Sequence, residues 1–157
     1  MGEREGPGPL TQALLRQVGG GLLRVVGIDN STGLVEPAQL SFFNQQAASA
    51  AAARQPLVLA VHFPLHSIAL AAELEQAGCP GMGAELCGAG ASDADTAAFL
   101  AAAGECAGLV AVLAGHVRCA TAAPFGAHSC VQYTVDAGCF GGYRLCDFSA
   151  ASPPAAL

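Results

Sequence analysis

At 157 residues the chain is long enough for one domain with its own buried core. An apolar content of 53% against 11% charged residues excludes a solvated, disordered chain. The net charge of −6, with no basic run, excludes nucleic acid as a partner held through a broad phosphate-neutralising patch.

Much of the apolar fraction is alanine, which buries little area per residue, so a thin core is expected. The N-terminal "MGEREGPGPL" has no apolar h-region, and no apolar run approaches the ~20 residues of a membrane span. The expectation is therefore a soluble, cytoplasmic chain with no membrane partner. Seven cysteines (79, 87, 106, 119, 130, 139 and 146) form no C-x-x-C pair. Without a secretory signal they read as reduced thiols used as small core residues.

Residues 1–8, polar and rich in Pro and Gly, read as a disordered segment. One domain is expected over 9–150, and a flexible tail over 151–157. "LTQALLRQV" (10–18) spaces its leucines like a short amphipathic helix closed by Gly19-Gly20-Gly21. "LLRVVGID" (22–29) reads as a strand ending at Asp29, and "NSTG" as a turn. Pro37 suits the first position of a helix running towards Arg54. "PLVLAVHF" (56–63) has the continuous apolar character of a central strand.

A helix over "SIALAAELEQA" (67–77) follows, and then a glycine-rich loop from Cys79 to Ala91. Ser92 is the expected N-cap of the next helix, with Asp93 and Asp95 complementing its first-turn dipole. "LVAVLAGH" (109–116) is another apolar strand. "CVQYTV" and "YRLCDF", alternating around "DAGCFGG", predict a hairpin-like end. Strands alternating with helices define an α/β layered architecture.

Two strands end in histidine, His62 and His116. In open α/β sheets ligands sit outside the carboxyl ends of the strands, and neutral imidazole is the commonest metal ligand. Either residue alone reads as a hydrogen-bonded strand end; the two together point to a metal site. Gly115 is expected to let the backbone turn tightly there. Arg118 reads either as a solvated rim residue or as a fork for substrate phosphate. His66 reads as a helix-start residue, His128 as a loop residue, and Asp29 and Asp136 as turn residues. Cys119 lies near His116, yet nothing around it resembles a Cys–His nucleophile signature.

From Gly27 to Phe148 the chain resembles the C-terminal half of a calcineurin-like metallophosphoesterase. The resemblance rests on "GIDNSTG", "QLSFF", "PLVLAVHFPLH", "LVAVLAGHVR" and "VQYTVDAGCFGGYRLCDF", taken in series. It implies a layered α/β sandwich of metallophosphoesterase type, of which only the C-terminal half is present. It also implies metal-dependent hydrolysis of phosphate mono- or diesters. The family's centre is dinuclear, built from divalent Mn, Fe or Zn ions ~3.5–4 Å apart.

By the same resemblance His62 and His116 ligate one ion. The second histidine of the family's G-H-x-H stands here as Arg118. The family's D-x-H, G-D-x-x-D and G-N-H-[DE] blocks have no counterpart in the 28 residues before Asp29. A phosphate-ester small molecule is the partner this reading implies. The alternative is a non-catalytic interaction module, in which half a sandwich leaves an apolar sheet face for a partner protein or self-association.

Overall fold

A computed structural model describes residues 13–18, 22–90, 93–136 and 138–148. The described elements are β1 (Ala13–Val18), β2 (Leu23–Ile28), α1 (Pro37–Ala52), β3 (Leu57–Val61), α2 (Ile68–Gln76), α3 (Ala94–Glu105), β4 (Leu109–Ala114), β5 (Ala122–Phe125) and β6 (Cys130–Thr134). They form a six-stranded mixed sheet in the order β1-β2-β3-β4-β6-β5. Strands β2, β3, β4 and β6 are mutually parallel, and the two edge strands run antiparallel to their neighbours. The class is α/β, as the alternation of apolar runs and helix formers predicts.

Each helix begins where the local chemistry starts it. Pro37 opens α1, and the Gln39 side chain accepts the Glu36 N–H to close a capping box. The Ser67 hydroxyl accepts the Leu70 N–H at the start of α2. The carboxylate of Asp93 accepts the N–H groups of Asp95 and Thr96, so Asp93 is the N-cap of α3. Ser92, the expected cap, lies outside the described residues.

Phe43 of α1 and Phe99 of α3 meet edge to face at 5.1 Å, over Val26, Ile28, Leu57, Leu59 and Val112 of the sheet. Leu70 and Leu74 of α2 pack with Val117, Cys119 and Ala123. Ala123 and Phe125 lie two apart on β5 and so point to one face. The first joins the α2 cluster and the second joins the α1–α3 cluster. All three described helices therefore share one face of the sheet. Residues 142–148 cross part of the other face, where the Arg144 guanidinium lies 5.1 Å from the centre of the Tyr133 ring.

Four expectations are corrected. Residues 13–18 are a strand and not part of a helix, because they pair antiparallel along the whole of β2; Leu10 and the glycine triplet lie outside the described residues. "YRLCDF" is not a strand. The hairpin at this end joins β5 to β6 instead, around Gly126, whose φ is +70°. Its first strand contains Pro124, which an edge strand tolerates because one side of its backbone needs no partner. Finally, Cys79 and Cys119 are joined in a disulfide, whereas Cys87 and Cys130 are buried free thiols as expected. The predicted segments 1–8 and 151–157 lie outside the described residues. No helix among the described residues is long and apolar enough to cross a membrane.

Candidate metal centre

β3 and β4 are adjacent and parallel, with Val61 paired to Ala114, so the residues just after them emerge side by side. That register brings together the two histidines singled out from the sequence: His116 Nδ1 lies 3.3 Å from His62 Nε2. The Gly115 N–H donates to the His62 carbonyl at 3.2 Å, tying the two strand ends together through the backbone.

His116 is held on three sides. The Phe63 ring lies against its face, with centroids 3.6 Å apart and planes tilted by 33°. His62 faces Nδ1, and the Glu85 carboxylate lies 3.7 Å from Nε2. The backbone at His116 has φ 61°, and the Val117 N–H donates to the Gly115 carbonyl at 2.7 Å. This is a γ-turn of the rare positive-φ kind, centred on the histidine itself. The expectation that Gly115 supplies the tight turn is therefore corrected. The left-handed residues are His116 and Arg118, and a Cβ on Gly115 would meet nothing closer than the His62 carbonyl at 4.0 Å.

The strained turn is anchored behind the site. Val117 and Cys119 are buried against α2, and Cys119 is bonded to Cys79. The Thr134 hydroxyl donates to the Cys119 carbonyl, and the Thr121 and Thr134 hydroxyls are 2.8 Å apart. The β3 side is anchored as firmly. The buried Asn30 side chain accepts the N–H groups of His62 and Phe63 at 2.8 and 3.0 Å, and donates to the Phe63 carbonyl at 2.9 Å. The buried Gln132 amide clasps the Leu65 backbone, accepting at 2.7 Å and donating at 2.8 Å.

Asn30, Gln132 and Glu85 were not singled out by the sequence. Asn30 lies in a turn, Gln132 in an alternating strand, and Glu85 in a glycine-rich segment that folds as a short 3-10 turn, Met82–Glu85.

His62, Gly115, His116, Arg118, Val135, Asp136 and Gly138 line one cleft of ≈ 400 Å³. That volume lies within the range of small-molecule sites. Arg118 thus shares the cleft with both histidines. Asp29, His66, His128 and Cys119 do not line this cleft. Asp29 caps its own turn, accepting the Ser31 N–H at 3.1 Å. His66 precedes the cap of α2 and donates its N–H to the Cys87 carbonyl. His128 is exposed in the β5–β6 turn. Cys119 is no nucleophile, being disulfide-bonded.

Whether the two imidazoles fit an ion is a question of geometry. A tetrahedral ion with ~2.0–2.1 Å bonds to nitrogen sets adjacent donor atoms about 3.3–3.4 Å apart. The observed 3.3 Å matches that edge. Among the described residues no group of three or more His, Cys, Asp or Glu side chains is arranged to hold a metal ion. The donor pair seen there is the two imidazole nitrogens of His62 and His116. Compared with known proteins, the chain matches no family model, and no curated protein matches it.

Proposed function

We propose that this chain is a phosphoesterase-type domain that holds one divalent ion between His62 and His116 and receives a phosphate ester in the adjoining cleft. The observation that carries this reading is the pair of imidazole nitrogens 3.3 Å apart at the ends of adjacent parallel strands. A divalent ion there would polarise a phosphoryl oxygen as a Lewis acid. The chain's own residues have distinct tasks. His62 and His116 bind the ion, and Asn30 fixes the backbone that carries His62. Arg118, on the rim of the same cleft, forks onto phosphate oxygens. The backbone strain at His116 supports the reading too, since such strain persists only where the surroundings over-determine it and clusters at functional sites.

The test is metal per chain, by elemental mass spectrometry after loading with zinc or manganese, alongside hydrolysis of an aryl phosphate monoester and diester. One ion per chain, lost in His116→Ala together with any turnover, supports the proposal. No ion above background overturns it and leaves the non-catalytic interaction module as the better reading. Two ions would mean that the chain supplies ligands beyond these two imidazoles.

A further inference from the structure

A neutral imidazole has one proton for two nitrogens, so a metal at one nitrogen requires the proton on the other. The nitrogens of His116 face opposite neighbours: Nδ1 faces His62, and Nε2 faces the Glu85 carboxylate at 3.7 Å. A carboxylate only accepts, so it favours the form with the proton on Nε2. Nδ1 is then the nitrogen with the free lone pair, aimed at His62 Nε2. The Phe63 ring against the imidazole face resists the flip that would exchange the two nitrogens.

Glu85 does not reach this place by chance of a loose loop. The next two residues, Leu86 and Cys87, are buried at 4% and 1% exposure. The Cys87 N–H donates to the Pro64 carbonyl at 2.8 Å, and its carbonyl accepts the His66 N–H at 3.0 Å. The short turn that ends at Glu85 is thereby stitched to the segment just beyond His62 and Phe63. On its other side, Cys79 ties the start of the same segment to Cys119, three residues past His116. Both histidine-bearing strand ends thus fix the position of this carboxylate.

We propose that Glu85 is a positioning residue for the metal centre, holding the proton of His116 on Nε2 so that Nδ1 is presented as a ligand. The proposal rests on the metal reading above. At 3.7 Å the contact is an ion-pair approach of the half-exposed Glu85 carboxylate to Nε2. Carboxylate partners of ligating histidines act in this way, and removing one typically weakens metal affinity 10–100-fold. In the metal-free chain the His62 Nε2–H donates to His116 Nδ1. When an ion takes that place, the His62 proton must move to its Nδ1, while the His116 proton stays where it is.

The experiment is long-range proton–nitrogen NMR of the histidine rings in the full chain, without metal and with zinc, plus zinc affinity by competition with a chromophoric chelator. Expected without metal are protons on Nε2 of both His116 and His62. Zinc should move only the His62 proton. Glu85→Ala should mix the two forms of His116 and weaken zinc binding by about 10–100-fold, with Glu85→Gln in between because its amide oxygen still accepts. A His116 proton on Nδ1 in the metal-free wild type would overturn the proposal, as would unchanged spectra and affinity in Glu85→Ala. Failure of the wild type to bind zinc would overturn the metal reading itself. The metal-free spectra would then still show whether Glu85 sets the His116 proton, so the two failures are told apart.

Discussion

His116 carries its side chain on a backbone with φ 61°, in the left-handed region, where a Cβ crowds the following carbonyl. That conformation costs roughly 1–2 kcal/mol for a residue other than glycine. The fold offsets this cost by burying Val117 and pinning Cys119, and by stacking Phe63 on the ring. A prediction follows from replacing the side chain in two ways. His116→Ala and His116→Gly both lose the imidazole and its stack, but only glycine relieves the turn. Glycine should leave the metal-free protein more stable than alanine by about 1 kcal/mol, after subtracting its greater unfolded-chain entropy. Urea denaturation of the two variants measures this difference directly. Equal stabilities would mean that the turn relaxes freely and that no strain is held at this position. The meeting of His62 and His116 was legible from the sequence because each closes an apolar run of strand length. Asn30 and Glu85 were not, since nothing in a polar turn or a glycine-rich loop announces which side chain a distant strand end will meet.

At the scale of elements, the site depends on loops more than on the sheet that carries them. The Cys79–Cys119 disulfide spans 40 residues and joins the end of α2 to the segment that follows His116. Closing a loop of that length restricts the unfolded chain and contributes about 2–4 kcal/mol. Replacing both cysteines by serine should therefore lower stability by that amount, as read from denaturation of the variant against the oxidised wild type. Because the cross-link also restrains the His116 turn, the proposed metal binding should weaken in the variant. An unchanged stability would mean that these two sulfurs are not bonded in solution. The disulfide had no signature in the sequence: its cysteines lie in two loops, and their partnership is decided by how α2 packs on β5. β1 departs from its local pattern for a related reason. Its leucine spacing suits a helix, and pairing along β2 overrides that local preference. β5 is short, contains a proline, and becomes a strand only as the outer member of a hairpin with β6. The central strands were readable because burial at Leu57, Val58 and Leu59 needs apolar side chains at successive positions.

For the whole molecule, the titrating groups set how stability changes with pH, and they act at opposite ends of the scale. On the acid side, hydrogen bonds from the hydroxyl and then the N–H of Ser31 hold the Asp29 carboxyl below the usual carboxylate range. Hydrogen bonds from the Thr96 hydroxyl and N–H do the same for Asp93. A carboxylate with a depressed folded value adds stability above its unfolded value and loses it as pH falls through the folded one, here below about pH 4. Both groups are exposed, so water and salt screen the effect and the acid limb should be shallow and weaken with added salt. On the alkaline side, burial pushes the Cys87 thiol up, and it pushes Cys130 from 9.0 to about 11. These thiols stay protonated in the folded chain while the unfolded chain ionises them. The unfolded chain therefore binds fewer protons in that window, and stability falls as pH rises from about 9 towards 11. The Cys87 and Cys130 side chains are nearly inaccessible, at 1% and 4% exposure, so salt should not rescue this limb. The expected profile of Tm against pH is a plateau bounded by a shallow, salt-sensitive acid limb and a steeper, salt-insensitive alkaline one. Cys130→Ala, which keeps a small apolar group and removes the ionisation, should flatten the alkaline limb. If that limb is unaltered in the variant, burial of this thiol does not govern alkaline unfolding.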